Sequence, residues 1–344
     1  MLEVFTLNQH EEWDVIVRSF TEYDVYWLSG YVKAFQIHGD GEPLLFYVKE
    51  GGSRGINVVM KRDIALDKRF KGMISTGKYF DFATPYGYGG WIIEGNDESK
   101  IFESYNTWTD ENGIICEFAR FHPMIKNHEI CSAFYDVVQL GEVVHMDLSS
   151  PEIIFKNIIS KNRNMIRKAE KNNVKIYNGR FPAIFENFRN IYNSTMEKDK
   201  ADKYYYFEKD FYSSLLEDLP QNVQVFWAEK DEKIIAASII LFANRRINYH
   251  LSGSIKEFGS LAPTNLLLYK TALWGNNNGY KTLYLGGGVG AEEDGLFKFK
   301  KSFNRNGISH FYVGRKIYDE KKYEALINMR NDITNLDFFP KYRG

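Results

Sequence analysis

The stretch VQVFWAEKDEKIIAASIILFANRRINYHL, residues 223–251, decides the fold. Its apolar runs Val223–Glu229, Ile234–Phe242 and Arg246–Leu251 are separated by the short polar segments Asp231-Glu232-Lys233 and Asn244-Arg245. Runs of this length joined by such tight turns predict a meander of antiparallel strands. Pro263-Thr264-Asn265 then opens an apolar helix to about Trp274, closed by Asn276-Asn277-Asn278-Gly279. Thr282–Leu285 and Phe311–Lys316 read as further strands, and 319–331 as a last helix. Strands in succession followed by a helix and more strands give an α+β class, with the helix after the meander as the natural place for a ligand.

Working back from the meander, Asp147-Leu-Ser-Ser-Pro-Glu152 has the serine cap, early proline and acidic first turn of a helix start. That helix is predicted to run over 151–172, ahead of a strand at Val174–Tyr177 and helices at 183–198 and 207–218. Residues 1–145 read as mixed structure, with strands at Leu44–Val48, Ile56–Met60, Ile114–Phe121 and Val143–Met146. Two domains are expected, 1–146 and 147–316, with the helix of 317–344 completing the first.

The chain has 344 residues, 44% hydrophobic and 26% charged, the balance of a globular protein with room for two cores. Lys plus Arg is 44 against 45 Asp plus Glu, which argues against DNA binding through the whole surface. Two cysteines are too few for a disulfide framework and fit a reducing cytoplasm. The acidic, interrupted N-terminus does not read as a signal peptide, and the apolar run Ile234–Ala243 is about half of what a membrane span needs. A cytoplasmic protein with no membrane span is the expectation.

Between 156 and 180 the sequence carries eight Lys/Arg and one acid, Glu170. Lys156, Arg163, Arg167 and Lys171 fall on one face of the predicted helix, a pattern that suits a polyphosphate, a nucleotide-linked substrate or tRNA, and equally a solvated face. In Phe297-Lys-Phe-Lys-Lys-Ser-Phe303 the alternation predicts a strand with phenylalanines on one side. A lysine held among aromatic rings there can serve as a cation for an oxyanion; an exposed lysine pair on an edge strand fits as well. Leu285-Gly-Gly-Gly-Val-Gly290 departs from a dinucleotide fingerprint and is followed by acids, so a flexible loop beside a site is the better account. Thr84-Pro-Tyr-Gly-Tyr-Gly-Gly90 is a glycine-rich turn with two tyrosines, and Arg120-Phe-His122-Pro ends a strand. The spacings of Cys116, His122, His128 and Cys131 fit no zinc pattern, so no metal is expected.

In order along the chain, several segments together resemble the Fem family of peptidoglycan aminoacyl transferases and the FemAB-like members of the GNAT acyltransferase superfamily. They are Thr84–Gly90, Arg120–Pro123, Arg163–Ala169, Ile235–Ser238, Tyr249–Gly253, Pro263–Leu268, Leu285–Gly288 and Phe299–Phe303. The resemblance implies two tandem GNAT-like domains, each a mostly antiparallel twisted sheet flanked by helices. It implies transfer of an amino acid from aminoacyl-tRNA, or of an acyl group from CoA, to an amine, with no tightly bound cofactor. The acceptor it implies is a lipid- or nucleotide-linked cell-wall precursor, held mainly by the first domain and the interdomain cleft. The family's Phe-Lys-x-x-Phe lysine lands on Lys300, so Lys300, with Phe299 as aromatic wall, is expected to stabilise the tetrahedral intermediate. Lys156, Arg163 and Arg167 are expected to receive phosphates, Tyr86, Tyr88, Arg120 and His122 to shape the acceptor site, and His250, Ser252 and Asn265 to contact substrate; His122 and His250 are alternative bases. Ser254–Pro263 lacks the Gln/Arg-x-x-Gly-x-Gly/Ala loop that holds CoA pyrophosphate in typical GNAT enzymes, which weakens CoA as donor without establishing tRNA. An acyl-CoA N-acyltransferase of an amino sugar or other small amine, and a non-catalytic module binding precursor or tRNA, are the rival readings.

Overall fold

The computed structural model describes residues 1–335 and 337–344. In chain order the elements begin with β1 (Leu2–Phe5), α1 (His10–Arg18), α2 (Ser29–His38), β2 (Glu42–Glu50), β3 (Ser53–Asp63), β4 (Phe80–Ala83) and β5 (Ile92–Glu94). They continue with α3 (Ser99–Glu111), β6 (Ile114–Arg120), α4 (His128–Cys131), β7 (Asp136–Asp147), α5 (Pro151–Asn157), α6 (Ser160–Lys171) and β8 (Lys175–Gly179). Next come α7 (Pro182–Lys198), α8 (Lys209–Asp218), β9 (Val223–Lys230), β10 (Lys233–Ala243) and β11 (Arg246–Ser254). The last are α9 (Pro263–Asn277), β12 (Thr282–Gly286), α10 (Gly295–Lys301), β13 (Ile308–Ile317) and α11 (Glu320–Asn328). The class is α+β. Two compact units divide the chain, Met1–Leu140 with Phe311–Gly344 and Gly141–His310. Among the described residues no helix is long and apolar enough to cross a membrane.

The first unit is built on the strand order β1-β2-β3-β4-β6-β13, with β5 also on β3. β2 and β3 form a regular antiparallel hairpin from Glu42↔Lys61 to Glu50↔Ser53. It turns through Gly51 and Gly52, both at positive φ, the conformation a two-residue hairpin loop demands. α3 lays Ile101, Phe102 and Tyr105 against this sheet. Within that core lies Glu117, fully buried, its carboxylate accepting hydrogen bonds from Tyr105 (2.8 Å), Tyr135 (2.8 Å), Tyr318 (2.7 Å) and Asn57 (3.0 Å). Burial raises its pKa.

The second unit orders its strands β7-β12-β11-β10-β9-β8. The meander forms as its sequence predicts, β9 and β11 flanking β10 antiparallel. Alternate side chains of β10 divide its faces. Ala236, Ile240 and Phe242 join the core beneath α6 and α9, with Leu266, Leu267 and Ala272 opposite them. On the other face Gly253 of β11 lies against the backbone of Ile191 and Tyr192 in α7, where a Cβ would come within 2.9 Å.

Three departures from the sequence expectations bear on function. The helix expected over 151–172 is two helices, α5 and α6, broken at Ile158 and Ile159, whose ψ angles of 130° and 152° are extended. Ile159 donates its backbone N–H to the Ser302 carbonyl at 3.0 Å, a long-range bond that helical geometry there would forgo. The strand expected over 297–303 is instead α10, since the Asp294 carboxylate accepts the Phe297 N–H at 2.8 Å as a helix N-cap. In the first unit α1, α2 and α3 stand where only mixed structure was expected.

Replacing Glu117 by Leu would strand four hydrogen-bond donors in the core. A loss of about 3 kcal/mol or more is expected in denaturant unfolding. Glu117→Gln, which keeps one acceptor oxygen, should lose less. Equal stability of wild type and Glu117→Leu would show that the carboxylate does not organise this core.

Candidate functional site

Lys300 lies in the last turn of α10 and is only 9% exposed. Its Nζ donates to the carbonyl oxygen of Gly287, just past the end of β12, at 2.6 Å. Gly286 precedes it at φ +80°, where the chain turns close beneath the ammonium group. Phe297 and Phe303 are buried, and Phe299 packs edge-to-face on Phe303 with ring centroids 5.3 Å apart. Desolvation by these surroundings lowers the Lys300 pKa to about 8, against the opposing pull of the Asp294 charge. Lys301, one helical step round, is half-buried, with Glu142 at 3.9 Å and the Phe297 ring at 5.3 Å. The two lysines differ in environment, and the cause is a helical step rather than strand alternation.

β11 and β12 are parallel neighbours, but their ladder covers only Arg246↔Thr282, Ile247↔Leu283 and Asn248↔Tyr284; both strands continue beyond it. Just past that point β11 bulges. Ile239 pairs with Leu251 and Ile240 with Tyr249, so His250 is the extra residue. The bulge reverses the alternation and brings Tyr249 and Ser252 to one face, where the Ser238 and Ser252 hydroxyls are 2.9 Å apart. Burial raises the Tyr249 pKa and lowers that of His250 to about 3, which leaves His250 a weak base. Asn265, in the first turn of α9, spends its amide on the Oδ1 of Asn162 at 2.8 Å.

Arg163 and Arg167 remain on the outward side of α6, each guanidinium over the Phe155 ring at 5.4 and 5.7 Å. Neither has a carboxylate partner among the described residues, and the one acid of the helix, Glu170, is taken by Lys270 at 3.0 Å. Lys156 is corrected: it belongs to α5, beyond the break, and does not continue their line.

In the first unit, Gly87 at φ +95° folds the glycine-rich turn onto Tyr26, whose ring a Cβ would meet at 2.5 Å. Tyr86 then stacks on Phe35, centroids 5.6 Å apart, and Tyr88 packs edge-on to Tyr26 and to His122, both at 5.4 Å. Arg120 donates its backbone N–H to the Thr84 hydroxyl at 3.1 Å, fixing the turn against β6. His122 is corrected as a candidate base. It is fully buried, its Nδ1 accepts the N–H groups of Met124 and Ile125 at 3.2 Å, and its Nε2 faces Asp24 at 3.1 Å. Two backbone donors on Nδ1 leave the proton on Nε2, directed at Asp24, so the imidazole is fully engaged in holding the loop. The sequence expectations missed Asp24, Tyr26 and Phe35, and also Asn162; only the Asp294-x-x-Phe297 cap left a readable signal.

Residues 160–301 match the family model of the acetyltransferase (GNAT) domain. That segment runs from the first residue of α6 to the last of α10 and so includes Lys300. No curated protein sequence matches the chain. Among solved structures, one of FemX is similar over 94% of this chain and 99% of its own, at 13% identity and a TM-score of 0.68. The C-terminal domain of a putative lysylphosphatidylglycerol synthetase from Agrobacterium fabrum is similar over 94% of both chains, at 14% identity and a TM-score of 0.57. A conserved protein of unknown function from Bacteroides thetaiotaomicron covers 92% of this chain and 99% of its own, at 10% identity and a TM-score of 0.60. The resemblance carried by the ordered motifs therefore holds at the level of fold: residues 160–301 match the GNAT domain model, and the chain as a whole is similar in fold to FemX.

Proposed function

We propose that the chain forms an amide by transferring an acyl group from an activated ester or thioester to an amine, with Lys300 as the oxyanion donor. The observation that carries this is the nearly buried Lys300 ammonium beside the end of β12. Burying a cation without a carboxylate contact costs stability, and such a group is a candidate for function. In the proposed step the neutral amine attacks the acyl carbonyl carbon. The C–N bond forms, and the carbonyl π pair moves to oxygen, where the Lys300 charge stabilises it. Collapse expels the thiolate or alkoxide, and the proton shed by the amine ends on that leaving group or on solvent. At neutral pH a group titrating at about 8 is mostly the required cation.

The match to the GNAT domain supports acyl-CoA as the first donor to test; an aminoacyl-tRNA ester is the alternative that the Fem resemblance implies. The acceptor proposed is an amine of a cell-wall precursor. Arg163 and Arg167 are proposed for donor phosphates, Ser252 with Tyr249 for the acyl group.

Lys300→Met keeps the apolar stem and removes the charge. Single-turnover transfer should fall by about 10²–10³ while donor binding persists. Wild-type transfer should decline as pH rises through about 8, as the ammonium is lost. Stability should move the other way. The lysine's pKa is about 8 folded and 10.5 unfolded, so its burial cost is full below 8 and disappears between 8 and 10.5. The Met variant should therefore be more stable by roughly 1–3 kcal/mol at pH 7 in denaturant unfolding, with the difference shrinking over that window. Undiminished transfer by Lys300→Met would end the oxyanion role.

A second measurement concerns α6. Arg163→Gln with Arg167→Gln should weaken CoA binding, measured by calorimetry, and flatten its salt dependence with little change in melting temperature. Equal CoA affinity of the two proteins at low salt would return this face to solvent.

A further inference from the structure

We infer that Asn162 is a positioning residue that holds Lys300 in place through a directed chain of hydrogen bonds. The inference rests on the oxyanion role proposed for Lys300. Asn162 occupies the first turn of α6 and is 2% exposed. It shares the buried side of that helix with Ile166 and Ala169, so an amide stands where packing alone would take an aliphatic side chain.

All of its observed bonds run one way. Asn265 Nδ2 donates to Asn162 Oδ1 at 2.8 Å, and Asn162 Nδ2 donates to Ser302 Oγ at 2.9 Å. The Ser302 hydroxyl has one proton and gives it to the Phe299 carbonyl at 2.6 Å. A reversed or missing link would therefore break the sequence rather than bend it. The chain ends on the residue before Lys300. The Ile159 N–H also donates to the Ser302 carbonyl at 3.0 Å, so the α6 side holds Ser302, two residues past the lysine, by both its carbonyl and its hydroxyl.

The consequence is geometric. Lys300 Nζ keeps its 2.6 Å bond to Gly287 only while the last turn of α10 stays against α6. Displacement by a fraction of an ångström would admit water to the ammonium and misalign it with a developing oxyanion. Of the charged groups nearby, Asp294 acts on Lys300 from its own helix cap, and Glu142 of β7 faces Lys301.

The test uses Asn162→Leu, which fills the site without donating, Ser302→Ala, which removes the next link, and the pair combined. Trace labelling of the folded protein with acetic anhydride, read at Lys300 by mass spectrometry across pH, reports its titration without any turnover. The labelling midpoint should rise from about 8 toward the ordinary lysine value of 10.5 in each variant. Single-turnover transfer should fall about ten- to a hundredfold with CoA affinity unchanged, and the double variant should be no worse than the poorer single one. If Asn162→Leu does not fold, Ser302→Ala carries the same readout. A wild-type midpoint in a variant that melts like wild type overturns the proposal, as do strictly additive losses. A shifted midpoint alongside full transfer by Lys300→Met would support the positioning and retire the oxyanion role alone.

Discussion

A cation withdrawn from water needs a fixed place, and the second unit is organised around that requirement at Lys300. α10 is seven residues long, too short to hold a geometry by its own backbone bonds. Its two ends are secured from outside: Asp294 caps the start, and Ile159 and Asn162 grip the end through Ser302. The break between α5 and α6 follows from the same demand, since the backbone donor of Ile159 is needed by Ser302. Even the left-handed turn at Gly286 belongs to it, because the next carbonyl is the one that solvates the ammonium.

The first unit solves a different problem with similar means. There the loop carrying Tyr86 and Tyr88 is long and glycine-rich, and its shape comes from what lies under it. His122 and Asp24 form a dry polar floor, with Tyr26 wedged beneath Gly87. Elsewhere in this unit Arg343 and Tyr342 bring two hydrogen-bonding side chains to the buried Asp81, which Arg62 also meets at 2.6 Å. Those cations hold the Asp81 carboxyl below its usual pKa in spite of burial. The C-terminal segment is thereby part of the core rather than an appendage to it.

Much of the second unit was legible because its determinants are local. The meander announces itself in alternation and in turn residues; Asp231, Glu232, Asn244 and Arg245 all adopt positive φ, as tight hairpins require. Lys300, Asn265 and Ser252 were identifiable as candidates from short motifs. What escaped is what distant residues decide. A helix break at 158–159 answers to a carbonyl at 302, and no spacing within 151–172 encodes it. In 297–303 the period-two pattern is real, but the helix cap that Asp294 supplies outweighs it. Nothing in the residues around Asn162 marks it as buried, and His122 reads as a candidate base because its burial is a property of the fold, not of its motif.

The bulge at His250 has an effect on how the second unit can vary. Beyond it, Ser252 turns to the α9 side and Gly253 to the side of α7, where only a hydrogen fits against the backbone of Ile191 and Tyr192. Adding one residue between His250 and Gly253 would shift the parity of everything after it and present a side chain, in place of Gly253, to that narrow gap. β11 could lose its unpaired residue and keep its pairing with β10, whereas a lineage could lengthen it beyond the bulge only by rebuilding the contact with α7 in the same step.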